Sequence, residues 1–474
     1  MKLSDVTGVA EASFPINPLV TGVTCDSRLV APGYVFAALP GSLVDGAAYI
    51  PEAERKGAVA CIAKPGIAAS IPIIEDANPR RRYAEAASRY YNASFDCVAG
   101  VTGTNGKTST AYFVEQIWSA LGLSGASVGT LGARMAGFFQ ETSHTTPEPA
   151  ALHQALQALS GAGAQRVILE ASSHALDQSR LDGVQFDIAA FSNITQDHLD
   201  YHPDFASYFD AKMRLFEDRL RDDGIAVVNR DGAHSDAVCD RISRKKRTIL
   251  TTGVTGTDVR LVSVSPTPKG LLVDIDIGKT TQSLKLKTIG AFQAENAALA
   301  AGVALASGAS RSDVLQAMEQ IESAPGRMQF AGEKNGGAVY VDYAHTPAAI
   351  DAAIKSIRPH ADGRLIIIIG AGGDRDASKR PLMGAAAAAA DIVIVTDDNP
   401  RSEDPAAIRA AVLEGCPGAQ EIADRADAIA AGVAMLGSGD VLLVSGKGHE
   451  TGQTIGAETL PFSDVEVVRQ MTAN

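Results

Sequence analysis

The run GVTGTNGKTST, from Gly100 to Thr110, limits this chain more than any other segment. It follows the apolar stretch FDCVAGVT and precedes AYFVEQIWSALG, whose apolar spacing predicts a helix. A glycine-rich turn between strand and helix, closed by a Lys-Thr pair, predicts a phosphate-binding loop. Gly103 and Gly106 let backbone N–H groups approach phosphate oxygens, Lys107 supplies a point charge, and the Thr108 hydroxyl is placed to ligate magnesium. The generic pattern has glycine five positions before Gly106, where this chain has Val101, so the loop is a variant. A plain glycine-rich turn would need neither the Lys-Thr pair nor the flanking strand and helix. A nucleoside triphosphate is the expected ligand.

Short apolar runs then alternate with helical stretches, which predicts parallel strands covered by helices. RVILEAS around Glu170, DIAAFSN ending at Asn193 and GIAVVN ending at Asn229 are the candidate strands. In TTGVTGTDVRLVSVSPTPKGLLVDIDIG the period shifts to alternation, predicting antiparallel strands before the helix-like ENAALAAGVALASG. Past SAPGRMQF come AVYVDYAH, RLIIIIGA, DIVIVTDD and DVLLVSGKG, the pattern of a second doubly wound domain. YVFAALPG and AVACIAK predict a smaller α/β domain at the start. A chain of 474 residues exceeds the roughly 250 that one core supports, so three α/β domains are expected, over 1–94, 95–325 and 326–474. The alanine run Ala385 to Ala390 is expected to be helical.

The net charge of −13, with no basic cluster, argues against a nucleic-acid partner. Anionic substrates must then be met by local positive sites. With 46% hydrophobic and 20% charged residues, and no apolar run long enough to cross a bilayer, no membrane insertion is expected. The opening MKLSDVTGVAEASFPINP places Asp5 and Glu11 where a signal peptide needs a basic start and an apolar stretch. Five cysteines without CxxC spacing suit a reducing compartment, so a cytoplasmic location is expected.

Taken in order, GTNGKTST, TTPE at Thr145 to Glu148, EASSH, SNITQDHLDYH, GRM at Gly326, VDYAHTP, GGDRD and GKGHE resemble the Mur ligases, which join an amino acid or peptide to a UDP-N-acetylmuramoyl acceptor using ATP. The resemblance covers nearly the whole chain. It implies an amino-terminal domain for the UDP end, a central P-loop ATPase domain and a carboxy-terminal Rossmann-like domain that brings the amino acid. ATP and Mg2+ are the implied cofactors, in the cytoplasmic synthesis of peptidoglycan precursors, by a monomer. Two departures stand out: Gln293 in GAFQAEN, where relatives often have Asn, and Gln329 after GRM, where Glu is common.

By this resemblance Lys107, Glu170, His198 and Lys212 form the catalytic set, with Thr108, Glu170, His198 and Lys212, the last as a carbamate, about the metal. Taken alone, Glu170 at a strand end, a single histidine or a helix-surface lysine would each be ordinary structure. ATP is expected at Gly103, Thr104, Asn105, Gly106, Lys107, Thr108 and Ser109, with Asn296 at the adenine and Arg327 and Asp342 completing the site. The acceptor would be held by Ser27, Ser42, Leu43, Val44, Thr145, Thr146, Ser172, Gln178 and Arg180. DNPR, from Asp398 to Arg401, is a strong turn signal by composition, yet it looks like the motif of those Mur ligases that add meso-diaminopimelate to UDP-N-acetylmuramoyl-L-Ala-D-Glu. Arg401 offers a planar fork for the distal carboxylate, with Asp398 and Asn399 for the ammonium beside it and Pro400 fixing the turn. Arg375, Gly446 and Glu450 are expected to hold the remaining amino and carboxyl groups. Other amide ligases of the superfamily, such as folylpolyglutamate synthetase or the lysine-adding or dipeptide-adding Mur ligases, share the ATP chemistry, and a nucleotide-binding regulator without turnover is the alternative of another class.

Overall fold

A computed structural model describes every residue except Pro15, Ser42, Leu43, Leu199, Asp200, Pro268, Lys279 and Asn474. The chain divides into two compact units, one of 1–258 with 299–310 and one of 259–298 with 311–474. The helix Ala291–Ala306 contributes residues to both.

The first unit begins with a parallel sheet in the order β1 (Gly22–Thr24), β2 (Tyr34–Ala37), β3 (Ala60–Ala63), β4 (Ile73–Glu75). The helix Pro79–Tyr91 buries Tyr83, Ala84, Ala86 and Ala87; Asn78 caps its start and Asn92, at φ +47°, ends it. The larger sheet is built on β5 (Cys97–Thr102), with β6 (Gly125–Gly129), β7 (Gly132–Met135), β8 (Phe138–Gln140), β9 (Arg166–Glu170), β10 (Phe186–Phe191), β11 (Leu220–Asn229) and β12 (Thr248–Gly253). Its order is β12, β11, β10, β5, β9, β6, β7, β8. The strands from β12 to β6 are parallel and β7 and β8 return as an antiparallel meander. β5 therefore lies inside the sheet, and its carboxyl end opens directly into the glycine-rich loop. Ala99, Val101 and Thr102 are fully buried, as a strand covered on both faces requires.

The second unit starts with the antiparallel strands β13 (Val259–Thr267) and β14 (Gly270–Ile277), inside the alternating stretch, and β15 (Thr281–Leu286), which lies just beyond it. Its main sheet contains β16 (Gln329–Lys334), β17 (Gly337–Asp342), β18 (Leu365–Ile369), β19 (Ile392–Val395), β20 (Gln420–Glu421) and β21 (Val441–Ser445), in the order β16, β17, β21, β18, β19, β20. β17 to β20 and β21 are parallel, and β16 pairs antiparallel at the edge. β18, all Leu and Ile, is buried along its whole length. The chain order changes direction around β21, and the loops after β17, β18, β19 and β21 share one end of the sheet, the place where open α/β sheets bind ligands. A small hairpin follows, β22 (Gly452–Ile455) with β23 (Glu458–Pro461).

The alanine run departs from expectation. The helix Lys379–Ala387 ends inside it, and residues 388–390 form a turn closed by Ala388 and Ala390 N–H bonds to Gly384 and Ala387 carbonyls. High propensity gives way because the chain must reverse into β19 two residues later. Among the described residues no helix is long and apolar enough to cross a membrane.

Candidate active site

In the first unit, Gly103 adopts φ +149°, and a Cβ there would lie 1.9 Å from Ser192 Oγ. Only glycine fits this approach. Gly106, at φ +86°, is the N-cap of the helix Lys107–Ala120 and provides no side-chain cap, so the first-turn N–H groups are not consumed by one. The segment after β10 braces the loop: Asn193 O accepts from Thr104 N–H at 2.8 Å, Asn193 Oδ1 from Asn105 N–H at 3.0 Å, and Ser192 Oγ donates to Asn105 O at 2.6 Å. Thr104 Oγ1 accepts from Thr195 N–H at 3.0 Å and shares a hydrogen bond with Tyr208 OH at 2.8 Å. Ser109 is buried in the first helical turn.

Two lysines converge on one carbonyl. Lys107 Nζ donates to Gly103 O and Thr104 O, both at 2.9 Å, and Lys212 Nζ donates to Gly103 O at 2.7 Å. Lys212 lies on the helix Phe205–Arg214, which Asp204 caps by accepting from Ser207 N–H; Tyr208 and Lys212, one turn apart, share its buried face. Lys212 Nζ sits 4.5 Å from the centre of the Tyr208 ring. Burial, then the neighbouring Lys107 charge, push the Lys212 amine well below its ordinary pKa, against an opposing pull from Asp197. A neutral amine is the form that can add carbon dioxide to become a carbamate.

Glu170, at the end of β9, is fully buried. Its Oε2 accepts from Thr108 Oγ1 at 2.9 Å and its Oε1 from Thr130 N–H at 2.8 Å. Gly129 makes room for it, since a Cβ there would meet Glu170 Oε1 at 2.0 Å. The half-buried His198, held at φ +55°, stacks edge-on to His174 at 4.9 Å between ring centres. No group of three or more His, Cys, Asp or Glu among the described residues could hold a metal by itself. A hydroxyl and a carboxylate side by side nevertheless fit Mg2+, which prefers oxygen ligands and fills the rest of its octahedron with phosphate and water. The donor set thus fits a magnesium shared with a bound triphosphate.

Beside Glu170, Thr146 Oγ1 donates to Glu170 O at 2.6 Å and meets Ser172 Oγ at 3.2 Å, while Thr145 Oγ1 shares a bond with Thr130 Oγ1 at 3.0 Å. Arg180 donates to Thr146 O at 2.9 Å, to Gln178 Oε1 at 2.8 Å and pairs with Glu148 at 2.9 Å. Five expected acceptor-binding residues, Thr145, Thr146, Ser172, Gln178 and Arg180, are therefore one connected group. Ser27 lies apart from that network, in the first small sheet's domain, buried with its hydroxyl on Glu52 Oε2 at 3.2 Å. Val44 is exposed, and Ser42 and Leu43 fall outside the described residues.

In the second unit, Asn296 Nδ2 donates to Gln293 Oε1 at 3.0 Å, and Gln293 Nε2 is buried without a hydrogen-bond partner among the described residues. Gln329 Oε1 accepts from Gly326 N–H at 2.8 Å, so the amide supplies the acceptor that a glutamate would. Arg327 stacks over the Tyr343 ring at 4.7 Å. Asp342 accepts from Met328 and Ala344 N–H at 2.8 and 2.9 Å; burial raises its carboxyl pKa despite the opposing Arg327 charge.

At the carboxyl end of the second sheet lies a cavity of about 350 Å³. Arg375, Asp398, Asn399, Arg401, Gly446 and Glu450 line it, together with Tyr343 and His345 of VDYAHTP, for which no role was expected, and with Lys379 and Met383, which lie in none of the motifs. Pro400 is buried outside the lining, and its carbonyl packs so closely on Gly373 that a Cβ there would lie 1.9 Å away. Arg401 is held at φ +51° by Arg401 N–H to Thr454 O and Gly456 N–H to Arg401 O, at 3.1 and 2.7 Å. Such a conformation costs a non-glycine residue on the order of 1–3 kcal/mol. Its guanidinium donates through Nη1 to Gly373 O at 2.7 Å, in a cavity that Asp398 and Glu450 also line. Behind the loop, Arg425 and Asp464 form a fully buried pair at 2.7 Å, with Arg425 also donating to Ser445 O at 3.1 Å.

Three family descriptions match the chain in sequence: "Mur ligase family, catalytic domain" over residues 19–91, "Mur ligase middle domain" over 101–304 and "Mur ligase, glutamate ligase domain" over 326–448. A protein of Bradyrhizobium diazoefficiens named UDP-N-acetylmuramoyl-L-alanyl-D-glutamate--2,6-diaminopimelate ligase is 44% identical, over 100% of this chain and 99% of its own. A protein of the same name from Caulobacter vibrioides is 45% identical over 95% of each chain. A solved structure of a ligase of that name superposes with a TM-score of 0.76 at 32% identity, covering 100% of this chain and 99% of the other. With matches to all three family descriptions and with relatives this similar along their full length, the three-domain α/β chain belongs to the Mur ligase family.

Proposed function

We propose that the protein is an ATP-dependent ligase that forms an amide between meso-diaminopimelate and the D-glutamate side chain of UDP-N-acetylmuramoyl-L-Ala-D-Glu, in peptidoglycan precursor synthesis. The observation that carries this reading is the cavity of the second unit, whose lining brings Arg375 and Arg401 together with Asp398 and Glu450. A substrate with two carboxylates and two ammonium groups complements that set. Lysine, with one carboxylate fewer, does not.

ATP gives its γ-phosphoryl group to the acceptor carboxylate, forming an acyl phosphate and ADP. The amine of diaminopimelate then attacks the acyl carbon, the C–O bond to phosphate breaks, and the amine proton passes to solvent or a nearby base. Lys107 and the first-turn N–H groups of the helix it begins hold the β- and γ-phosphates, with Gly103 to Ser109 shaping the loop. Thr108, Glu170, His198 and the carbamate of Lys212 would hold magnesium, which would supply positive charge against the phosphates. The depressed pKa of Lys212 supports the carbamate. Thr145, Thr146, Ser172, Gln178 and Arg180 hold the sugar-peptide portion, Ser27 and the Ser42 to Val44 stretch the uridine end, and Asn296, Arg327 and Asp342 the remainder of ATP. The division of labour follows domains at 1–94, 95–325 and 326–474, in a cytoplasmic monomer without nucleic-acid or membrane partners.

The test is phosphate release from ATP with magnesium, the UDP-N-acetylmuramoyl dipeptide and one amino acid at a time. Release that requires all three substrates and is fastest with meso-diaminopimelate is expected. Release independent of the acceptor, or none with any amino acid, would end the reading.

A further inference from the structure

Lys447 has no place in the site as described so far. It stands in the turn after β21, between Gly446 at φ +123° and Gly448 at φ +56°, and its side chain is 0% exposed. An ammonium so buried persists only when paired. Lys447 Nζ donates to Glu450 Oε2 at 2.9 Å and to Asn399 Oδ1 at 3.1 Å. Asn399 Oδ1 also accepts from Thr454 N–H at 2.9 Å, and Asn399 Nδ2 donates to Glu450 Oε2, again at 2.9 Å.

These bonds settle which way the amide points. Lys447 Nζ and Thr454 N–H are donors only, so the end of Asn399 that meets both must be its oxygen. The N–H₂ end is thereby turned toward Glu450, and the carboxylate is anchored through one oxygen by two donors. Burial works against ionisation of Glu450, but the hydrogen bonds from Lys447 and Asn399 outweigh it and hold the carboxyl below its ordinary range. Asn399 and Glu450 line the cavity, whereas Lys447 does not. Any effect of Lys447 on a ligand must therefore pass through those two.

We infer that Lys447 is a positioning residue for amino-acid selection: it locks Asn399 and Glu450 into the one arrangement that presents an N–H edge and an anion side by side to a zwitterionic amino acid. The inference rests on the reading that this cavity receives the amino-acid substrate. A residue that served stability alone would lower the amount of active enzyme and the melting temperature without changing how well that substrate is bound.

Lys447→Met keeps the length of the side chain and removes the ammonium. In the full chain, the KM for meso-diaminopimelate is expected to rise roughly 10- to 100-fold, the loss of a charged hydrogen bond, while the KM values for ATP and the UDP-sugar dipeptide stay within about 2-fold. A crystal structure of the variant is expected to show the Asn399–Glu450 hydrogen bond broken. An unchanged KM for diaminopimelate, with any loss confined to kcat and Tm, overturns the inference. If Lys447→Met does not fold, Lys447→Arg replaces it: the larger planar guanidinium cannot take the fully enclosed place of the ammonium without displacing its partners, so a rise of at least about 3-fold is expected, and none overturns the inference. If the wild-type protein does not use meso-diaminopimelate at all, the functional reading fails by itself. The paired structures still decide the positioning role, because an Asn399–Glu450 bond that survives without the ammonium contradicts it.

Discussion

In the phosphate loop two lysine side chains converge on a single backbone carbonyl, Gly103 O, at 2.9 and 2.7 Å, whereas behind the cavity of the second unit one lysine is shared between two lining side chains, Asn399 and Glu450. The loop's geometry is written in the backbone: Gly103 and Gly106 at positive φ, a helix start, and bracing by Asn193 and Ser192. A site made this way suits a ligand common to many enzymes. The cavity's geometry is written in side chains that pair with one another, and changing one of them changes what the site accepts. Damage to the first should strike every amino acid alike, and damage to the second should alter the choice among them.

The largest effect is expected from Lys107→Ala. Phosphate release should fall by roughly 10³-fold or more with any amino acid, because the charge facing the phosphates is gone. Stability should change little, since Lys107 Nζ donates to the loop carbonyls of Gly103 and Thr104, and a melting curve alongside the assay checks this. Near-normal turnover would contradict the ATP site, and a changed amino-acid preference would break the contrast between the two regions.

A smaller loss is expected for Lys212→Ala, recoverable in part by small carboxylic acids added in solution, which can occupy the place of the carbamate. In wild-type enzyme supplied with ¹³C-bicarbonate, a carbamate resonance that Lys212→Ala lacks is the direct readout. Active enzyme with an unmodified Lys212 amine would sink the idea.

Acid should reveal a weakness of the unit that carries the loop. His153, fully buried in the helix Pro149–Gly161, has its pKa pushed by desolvation from 6.5 down to about 4. The fold needs the neutral ring, so this contribution is intact above the unfolded value and is lost progressively as pH falls from about 6.5 toward 4. The expected loss is roughly 2–4 kcal/mol. Trp118, the single tryptophan, is buried in the same unit, so its fluorescence reports denaturation there. The drop in urea midpoint between pH 7 and 4.5 should shrink in His153→Gln, and an equal drop in both proteins would contradict it.

The phosphate loop was legible in the sequence because its determinants are contiguous: a buried strand, glycines where the backbone must bend or approach, then a lysine and threonine opening a helix. Glu170 and the strand ends of the second unit were legible for a related reason, since apolar runs bounded by polar residues mark where a parallel sheet delivers its loops. Lys447 was not. In GKGHE it reads as another basic residue, and only the fold shows that it is enclosed with Asn399, 48 positions earlier. Tyr208 was missed likewise, its link to Thr104 crossing 104 positions. The alanine run misled because propensity measures a helix in isolation and not the turn that β19 demands.

On the proposed reading, the DNPR loop chooses the amino acid. The measurement that tests it most directly is competition between meso-diaminopimelate and L-lysine, with products resolved by mass, on wild type and on Arg401→Ala. Lysine would leave the Arg401 guanidinium without its carboxylate, a loss on the order of 2–5 kcal/mol in a dry site, or roughly 30-fold or more in selectivity. Wild type is therefore expected to give almost only the diaminopimelate product, and Arg401→Ala to lose most of that preference while its KM for ATP is unchanged. A wild type that prefers lysine, or an Arg401→Ala protein with the preference intact, would contradict the account.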